Sequence, residues 1–391
     1  MVKLNRPHIG IFGRTNVGKS SLINALTGQE TSLVSSVAGT TTDPVKKNIE
    51  ILGLGPVTLI DTAGIDDPSE LGAKRIEKTK QVLQQIDLAI LVFAKQFGDE
   101  EAQWTALLRQ HQVPFLVVHN KADLFPPLTA PVAGAEVIEF SCKQPDIQSL
   151  LQAIIRHMPG HSYQTEDIFG GFIKEGDEIL LVTPIDASAP QGRLILPQVQ
   201  TLRGALDLQA IISCVQPSQL SSYLQTHTPK LIVTDSQVFQ QVNQRVPSSI
   251  PLTSFSILFS RLKGDFELFL RSTPRLNDLQ NGDKVLMLES CTHSVNKCED
   301  IGRVKLPLWL QQKTGKKLFF HTLSNLDPLP LDLTSYKFAI QCGGCMVTRM
   351  QIMQRLHQLT AAGVPVSNYG MAIAWCHGIF ERVTAMFTAR N

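Results

Sequence analysis

The sequence predicts a three-domain α/β protein, in which a doubly wound sheet is followed by two smaller α/β domains. Short apolar runs alternate with amphipathic segments along most of the chain, and this alternation is typical of parallel sheets flanked by helices. The length of 391 residues also exceeds what one hydrophobic core usually supports. A polar, glycine-containing stretch at 161–176 and a second break near residue 264 interrupt the alternation. We therefore expect domains at residues 1–160, 177–268 and 269–391.

Residue composition narrows the classes of partner and the cellular compartment. Hydrophobic residues make up 43% of the chain, charged residues make up 18%, and the formal net charge is +2. A nearly neutral chain lacks the basic field that nucleic-acid binding uses, and its apolar runs are shorter than the roughly 20 residues of a membrane helix. The seven cysteines are an odd number in a chain that starts without a signal-peptide pattern, which favours reduced thiols. We expect a cytoplasmic protein that binds neither nucleic acid nor membranes.

The first domain is predicted to contain buried strands that alternate with amphipathic helices. Apolar runs predict strands at 8–12, 57–60, 88–93, 115–118 and 137–140. Helical spacing of apolar residues predicts helices at 19–27, 73–85, 101–110 and 149–157. The carboxyl ends of parallel strands share one edge of such a sheet, and ligands of open α/β sheets bind at that edge.

The first strand leads into the phosphate-binding pattern G-x-x-x-x-G-K-[ST], which begins at Gly13 and ends at Ser20. A glycine-rich loop between a strand and a helix turns its backbone N–H groups toward phosphate oxygens, and the helix dipole favours their negative charge. Lys19 would neutralise the β- and γ-phosphates, and the Ser20 hydroxyl would bind Mg²⁺. The predicted phosphate-binding residues are Gly13, Asn16, Val17, Gly18, Lys19, Ser20 and Ser21.

A second phosphate-facing segment follows the strand at 57–60. It reads Asp61-Thr62-Ala63-Gly64. An aspartate at the end of a strand holds a water molecule on Mg²⁺, and the N–H group of Gly64 is placed to meet a γ-phosphate.

Two segments at the ends of later strands predict the identity of the base. Asn120-Lys121-Ala122-Asp123 follows the strand at 115–118, and Ser141-Cys142-Lys143 follows the strand at 137–140. The Asp123 carboxylate accepts two N–H bonds from the edge of guanine, and adenine lacks this donor pair. The 141–143 segment supplies a backbone N–H group to the base oxygen. Four such segments in this order indicate a site for guanine nucleotides.

These motifs resemble the translation-factor-like GTPases over residues 1–160, which implies a P-loop GTPase domain that binds and hydrolyses GTP. Asn16, together with Gly39-Thr40-Thr41-Thr42-Asp43, is similar to the TrmE–Era subgroup. In that subgroup the loop asparagine helps to bind a K⁺ ion that replaces an arginine finger. An alternative role for Asn16 is to stabilise the loop by side-chain hydrogen bonding.

The same resemblance implies the catalytic residues. Lys19, Thr41 and Gly64 are expected to act in hydrolysis, with Thr41 as the switch threonine on Mg²⁺ and Thr40 as its alternative. Ile65 stands where many GTPases place a glutamine that orients the attacking water. We therefore expect slow hydrolysis that K⁺ stimulates.

The second domain is predicted to be an α/β module without catalytic residues. Strands are expected at 178–184, 209–215, 231–234 and 252–254, and helices at 197–206, 219–226 and 236–246. A silent module between two functional ones is more often a scaffold or an oligomerisation unit. Cys214, inside an apolar strand, is expected in the core.

The third domain is predicted to contain strands at 285–289, 318–322 and 338–340, a helix at 348–362 and an apolar helix at 372–380. No tandem repeat is apparent in the sequence. Two of these strands lead into segments that contain cysteine, which makes this domain the candidate for metal or redox chemistry.

The cysteine segments are Cys291-Thr292-His293 and Cys342-Gly343-Gly344-Cys345. A Cys-x-x-Cys turn brings two thiolates onto one metal or cluster, and its paired glycines allow a tight backbone. The distant Cys291 would complete three soft ligands. Spacing alone leaves three interpretations open: an iron–sulfur cluster, a zinc site with His293 as the fourth ligand, and a redox-active dithiol. Cys298 and Cys376 are more simply read as plain thiols.

The order of these segments resembles the HydF family of FeFe-hydrogenase maturation GTPases over essentially the whole chain. In that family a C-x-H motif is followed, after a spacer, by H-C-x-x-C, and here 47 residues separate His293 from Gln341. Gln341 stands where the family often has histidine, and an amide is a poor iron ligand.

This second resemblance implies a 4Fe–4S cluster held by Cys291, Cys342 and Cys345, with one iron open to a labile ligand and His293 as a further candidate. It implies that the protein receives a di-iron precursor carrying CO and cyanide and passes it to apo FeFe-hydrogenase. It also implies that the middle domain forms a homodimer, and that GTP influences association with the two radical-SAM maturases. Two rival functions remain: a GTP-regulated zinc-binding assembly factor and a redox enzyme that uses a cysteine pair.

Overall fold

Two compact units, Lys3–Gln164 and Thr165–Asn391, make up the protein, and each is described by itself. The structure is a computed structural model. It describes residues 7–28, 45–52, 54–66, 79–80, 82–83, 85–127, 135–160, 167–185, 194–290, 301–324, 327–344 and 347–388.

The amino-terminal unit is built on a sheet whose described strands lie in the order β2-β3-β1-β4-β5-β6. The strands are β1 (His8–Phe12), β2 (Val45–Ile51), β3 (Gly55–Asp61), β4 (Leu88–Phe93), β5 (Phe115–Asn120) and β6 (Val137–Phe140). All neighbours pair in parallel except β2, which runs antiparallel to β3. The described helices are α1 (Lys19–Thr27), α2 (Asp99–Gln110) and α3 (Ile147–His157).

Both faces of this sheet are covered by apolar side chains. Ile9 and Ile11 of β1 belong to a buried cluster that includes residues of α1 and α3, whereas Phe12 belongs to a second cluster that includes Trp104 of α2. Successive side chains of a strand point to opposite faces, so one strand contributes to both clusters. The doubly wound α/β fold that the alternation predicts is therefore confirmed.

The carboxy-terminal unit contains two parallel sheets, in the orders β10-β9-β7-β8 and β12-β11-β13-β14. The strands are β7 (Glu178–Val182), β8 (Ile211–Val215), β9 (Leu231–Thr234), β10 (Leu252–Ser254), β11 (Lys284–Leu288), β12 (Phe319–Leu323), β13 (Phe338–Gln341) and β14 (Val366–Asn368). The helices are α4 (Leu196–Asp207), α5 (Leu220–Tyr223), α6 (Phe239–Asn243), α7 (Phe255–Lys263), α8 (Phe266–Ser272), α9 (Leu306–Thr314), α10 (Arg349–Ala361), α11 (Tyr369–Cys376) and α12 (Phe380–Thr388).

These two sheets have the same topology, since in each the first strand lies between the second and the third strands and the fourth lies at the far edge. Matching local contacts accompany this order: the Asp177 carboxylate accepts from the Lys174 N–H group, and the Asp283 carboxylate accepts from the Gln280 N–H group. Residues at equal spacing recur around the last strand of each sheet: Pro251, Gly264, Phe266 and Glu267, then Pro365, Gly378, Phe380 and Glu381. The two sheets of the unit are therefore similar in topology and in local turn structure.

One hydrophobic core serves both sheets of the unit. Leu180 and Ile232 of the first sheet and Val285 and Phe338 of the second belong to the same cluster of buried side chains. Burying each such side chain contributes about 1.5–3 kcal/mol. The predicted domain division at residues 268 and 269 thus separates two sheets that share a core, and as a domain boundary it stays a prediction.

Some elements differ from the sequence-based expectation. The edge strand β8 leaves Cys214 exposed, so the expectation of a core position for this thiol is wrong. The helix expected at 372–380 ends at Cys376 because Gly378 adopts a left-handed φ of 70°, and α12 then begins at Phe380. The strands β2 and β14 were not predicted.

Among the described residues, none of the helices combines the length and the hydropathy that a membrane crossing requires.

Candidate functional site

The phosphate-binding loop joins β1 to α1, and two of its glycines are required by its shape. Gly13 and Gly18 have φ angles of 150° and 95°, which side-chain-bearing residues rarely adopt. A Cβ atom at Gly13 would collide with the Val92 carbonyl oxygen, and one at Gly18 would collide with the Asn120 amide. The loop therefore passes close to both β4 and β5 at the carboxyl edge of the sheet.

Lys19 lies buried over the loop at the start of α1. Its Nζ atom donates hydrogen bonds to the carbonyl oxygens of Gly13 and Arg14, each at 2.9 Å. Burial lowers the pKa of Lys19, while the nearby carboxylates of Asp61 and Asp66 oppose that shift. The ammonium group is thus held at the centre of the loop, where phosphate oxygens would replace backbone carbonyls as its acceptors.

Ser20 and Asp61 form the two-oxygen arrangement expected at a Mg²⁺ site. The Ser20 hydroxyl donates to Asp61 Oδ2 at 2.8 Å. The other oxygen, Oδ1, is buried and has no hydrogen-bond partner among the described residues. Burial raises the pKa of Asp61, against the opposing effects of Ser20 and Lys19. A divalent cation would neutralise this buried carboxylate and bind near its unpaired oxygen, so the residues fit Mg²⁺.

The segment after Asp61 lies against the phosphate loop. A Cβ atom at Gly64 would collide with the Thr15 hydroxyl. Asp66 accepts hydrogen bonds from the Thr15 N–H group at 2.7 Å and from the Thr15 hydroxyl at 2.9 Å. Ile65 between them is buried, so the position of the missing glutamine offers no polar side chain for a water molecule.

The base-recognition residues are tied to the phosphate loop. Asn120 Nδ2 donates to the Val17 carbonyl oxygen and Lys121 Nζ donates to the Asn16 carbonyl oxygen, both at 2.8 Å. The Cys142 thiol lies 3.5 Å from Asn120 Oδ1. These bonds cross from β5 to the loop, so the base-binding and phosphate-binding segments are positioned as one site.

The neighbours of Asp123 favour its ionised form. It accepts a hydrogen bond from the Ser141 hydroxyl at 2.7 Å and lies 3.0 Å from Lys143 Nζ. These two partners hold the pKa of Asp123 below its ordinary value. An ionised Asp123 has the acceptor oxygens that the guanine edge needs.

Asn16 adopts a left-handed backbone conformation, with φ of 63°, and is exposed. No hydrogen bond of its side chain occurs within the described residues, so loop stabilisation by this amide gains no support there.

The cysteine segments follow two neighbouring strands of the last sheet. β11 and β13 pair in parallel, with Leu288 opposite Gln341. Cys342 follows β13 and is buried, and its Sγ atom accepts a hydrogen bond from the Ser290 N–H group at 2.9 Å. Ser290 immediately precedes Cys291. Ser290 and Cys342 therefore lie side by side, although 52 positions separate them in the chain.

This location is the point where the strand order of the sheet changes direction. From β11 the chain crosses to β12 on one side, and β13 lies on the other side. Ligands of open α/β sheets bind at such a switch point. In the first sheet of the unit, the residues that correspond to Gln341 and Cys342 are Thr234 and Asp235.

Gln341 has a structural role at the carboxyl ends of β11 and β13. Its Nε2 atom donates to the Ser290 hydroxyl at 3.0 Å and to the Cys342 carbonyl oxygen at 3.1 Å. Its Oε1 atom is buried without a hydrogen-bond partner in the described part of the chain. The side chain thus connects the ends of β11 and β13.

The turn after Cys342 is fixed by packing and by a buried ammonium group. Gly344 has a φ of 65°, and a Cβ atom there would collide with Ile352 of α10. Lys263, at the end of α7, donates to the carbonyl oxygens of Gly344 at 2.8 Å and Val347 at 2.7 Å. The backbone carbonyl groups of Gly344 and Val347 are therefore anchored to the end of α7.

Several predicted site residues lie outside the described residues: Thr40, Thr41, Cys291, His293, Cys298 and Cys345. Within the described residues, no group of three or more His, Cys, Asp or Glu side chains forms a metal site. Burial raises the pKa of the Cys376 thiol to about 12, which leaves it protonated at neutral pH.

Three family models match the chain in succession. Residues 8–121 match the 50S ribosome-binding GTPase family, residues 168–264 match the hydrogen maturase F dimerization domain, and residues 267–386 match the hydrogen maturase F tetramerization domain. The chain belongs to the hydrogen maturase F family. The family resemblance expected from the cysteine motifs is confirmed, and the amino-terminal unit is a GTPase domain.

Curated relatives of this hydrogen maturase F protein are tRNA modification GTPases. MnmE of Chromobacterium violaceum is 36% identical over 166 residues, which cover 41% of this chain and 37% of MnmE. MnmE of Synechococcus sp. (strain JA-3-3Ab) is 42% identical over 122 residues, which cover 30% of this chain and 26% of MnmE. The chain thus spans well under two thirds of the length of these relatives.

Solved structures of GTPases are also similar to this hydrogen maturase F chain. Era of Aquifex aeolicus, bound to GDP and AlF4⁻, has 19% sequence identity and a TM-score of 0.34, covering 55% of this chain and 93% of Era. The G domain of the T. maritima iron transporter FeoB has 19% identity and a TM-score of 0.30, covering 39% and 98%.

The motifs alone missed some residues of the two sites. Ser290 donates its backbone N–H group to the Cys342 sulfur, and Lys263 donates its ammonium group to the Gly344 carbonyl oxygen. Nothing in the local sequence of either residue distinguishes it. Asp66 could have been predicted from the sequence, because it follows Ile65 directly in the segment expected to face the phosphates.

Proposed function

We propose that this protein is a GTP-hydrolysing scaffold that assembles the di-iron subcluster of FeFe-hydrogenase and delivers it to the apo-enzyme. GTP binding and hydrogenase maturation follow from its domains. The proposal adds a resident 4Fe–4S cluster, held by Cys291, Cys342 and Cys345, with one iron left open to the cargo.

The observation that carries the proposal is the hydrogen bond from the Ser290 N–H group to Cys342 Sγ. It brings the residue before Cys291 within 2.9 Å of a sulfur atom in the other cysteine segment. A third thiol, Cys345, lies three positions after Cys342. Three thiolates brought together at this strand switch point would form the soft donor set that an iron–sulfur cluster requires.

The described residues around Cys342 are compatible with an iron–sulfur cluster. An N–H group directed at sulfur stabilises a thiolate and raises the reduction potential of an attached cluster. Gln341 orients Ser290 and offers only an amide, so it leaves the fourth coordination position free of a strong protein ligand. His293 remains a candidate ligand, or a hydrogen-bond donor to the cargo. When bound, the cluster would supply one exchangeable coordination position for a di-iron precursor that carries CO and cyanide.

The nucleotide site is proposed to hydrolyse GTP slowly. Lys19 would neutralise the β- and γ-phosphates, Ser20 and Asp61 would position Mg²⁺, and the Gly64 N–H group would contact the γ-phosphate. Thr41 would complete the Mg²⁺ site. With Ile65 unable to orient water, a K⁺ ion bound by Asn16 is proposed to supply the missing positive charge.

The proposed partners follow from this role. We infer a homodimer through residues 168–264, transient association with two radical-SAM maturases under the control of the nucleotide, and transfer of the cargo to apo FeFe-hydrogenase in the cytoplasm. Only the self-association has direct support, which comes from the two matched oligomerisation domains.

Metal analysis of the full-length protein, purified and reconstituted without oxygen, separates the candidate functions. The scaffold function predicts a brown protein with about four iron and about four sulfide ions per chain. A colourless protein with one zinc ion would instead identify a GTP-regulated zinc-binding assembly factor. A metal-free protein with a reversible disulfide would identify a redox enzyme.

A further inference from the structure

Arg355 is a buried cation with an unused donor. It lies in α10 and is 6% exposed. Its Nη2 atom donates to the carbonyl oxygen of Asp327 at 2.6 Å. Its Nη1 atom is buried and has no hydrogen-bond partner in the part of the chain that the structure describes. No carboxylate of the described residues lies within ion-pair distance of it.

Arg355 shares a face of α10 with Ile352, which contacts the cysteine turn. Ile352, one helical turn before Arg355, occupies the space beside Gly344. Residues three apart in a helix lie on the same face, so Arg355 belongs to the face of α10 that packs against Gly344. The electrostatics agree: burial lowers the pKa of Arg355, and the charge of Cys342, ahead of that of Asp327, opposes this shift. The cation and the thiol are therefore close enough to interact.

A buried guanidinium without a counter-ion is costly, and buried charges in proteins are paired or bind ligands. The backbone carbonyl of Asp327 satisfies one donor and supplies no net charge. We therefore expect an anion to bind beside Cys342 and to pair with Arg355. A 4Fe–4S core with three thiolate ligands carries net negative charge, and one-electron reduction adds to it.

We propose that Arg355 is the charge partner of the cluster bound by Cys342, and that its Nη1 group donates to a thiolate or sulfide sulfur of that cluster. This inference rests on the proposed function. Arg355 is a positioning residue: it holds the cluster by charge and stabilises its reduced form. A buried positive charge beside a cluster raises its reduction potential, so removing the charge lowers that potential.

The test is an EPR-monitored redox titration of the reconstituted full-length protein, with iron counted in the same samples. Arg355→Gln and Arg355→Met both remove the charge, and the methionine variant fills a buried site with apolar atoms, which such sites commonly tolerate. Arg355→Lys restores the cation. Arg349→Gln is the matched control, since Arg349 belongs to the same helix but donates to the carbonyl oxygens of Leu262 and Gly264.

We expect a more negative midpoint potential in both neutral variants, recovery toward the wild-type value in Arg355→Lys, and the wild-type value in Arg349→Gln. Equal potentials and equal iron contents in wild type and in a folded neutral variant would overturn the role of Arg355 and leave the scaffold function standing. A wild-type protein that takes up no iron would overturn the scaffold function itself, and this inference with it.

Discussion

At the scale of single residues, the proposed K⁺ ion of the GTPase site depends on Asn16. Its exposed side chain and left-handed backbone place an amide at the phosphate loop. We predict that GTP hydrolysis is faster in K⁺ than in Na⁺, because only the larger ion would fit the site, and that Asn16→Ala removes the difference. Steady-state phosphate release in the two salts measures it. Asn24→Ala, in the neighbouring helix, should keep the K⁺ dependence. Equal rates for wild type in both salts would exclude the K⁺ site.

We propose that Asp123 sets the base preference of the same site. Exchange of its carboxylate for an amide, in Asp123→Asn, replaces an acceptor with a donor where guanine presents N–H groups. We predict a loss of GTP affinity on the order of 100-fold, together with a gain for xanthosine triphosphate, whose edge accepts at that position. Competition binding with labelled GTP measures both changes.

Asp146→Asn is the control for this experiment, because Asp146 only caps α3 through the Ser149 N–H group. If Asp123→Asn still prefers GTP to the xanthine nucleotide, Asp123 does not read the base.

Sequence patterns predict residues whose chemistry depends on their immediate neighbours. Lys19, Ser20 and Asp123 were found in this way, because a phosphate loop or a base-recognition segment works within a few consecutive residues. The contact between Ser290 and Cys342 depends instead on the pairing of β11 with β13, which no local pattern specifies. Arg355 is hidden for the same reason.

At the scale of elements, the two glycines of the cysteine turn differ in how strictly their positions require glycine. Gly344 combines a left-handed φ of 65° with the close approach of Ile352, whereas Gly343 has open space around its Cα atom. We predict that Gly344→Ala lowers the free energy of unfolding by at least about 1–2 kcal/mol, because alanine disfavours this conformation. Iron uptake should fall with it.

Gly343→Ala is the matched control and should remain within about 0.5 kcal/mol of wild type. Urea denaturation monitored by circular dichroism gives both values. Equal stability of the two variants would show that the turn does not hold the described conformation.

The alternation of apolar runs predicts most helices and strands, because the buried strands of a parallel sheet are apolar on both faces. β1 and β4 match their predicted bounds for this reason. β2 was missed because it is a largely exposed edge strand with the pattern Val-Lys-Lys-Asn, and β14 because it has only three residues. The similarity of the two sheets was not predicted, because it lies in strand order and turn geometry more than in residue identity.

At the scale of the whole molecule, we propose that the edge strand β8 takes part in self-association. β8 lies at the end of its sheet, and Ile211 on it is 59% exposed. An exposed apolar edge is a template for pairing with another chain, and it lies within the matched dimerization domain. We predict that Ile211→Lys shifts the full-length protein toward a smaller assembly.

Light scattering after size exclusion measures this shift. Leu52→Lys is the control, because Leu52 is also exposed, at 96%, but lies between β2 and β3 and outside the matched dimerization domain. A mass unchanged by Ile211→Lys would place the dimer interface elsewhere.

The account depends most on the convergence of two distant cysteine segments on one iron–sulfur cluster. The most direct test is EPR spectroscopy of the dithionite-reduced, anaerobically reconstituted protein, comparing wild type with Cys342→Ser and with Cys214→Ser. We predict the signal of a reduced 4Fe–4S cluster in wild type and in Cys214→Ser, whose thiol is exposed on β8, and its loss or marked change in Cys342→Ser. A wild-type protein without the signal, or an unaltered signal in Cys342→Ser, would contradict the account.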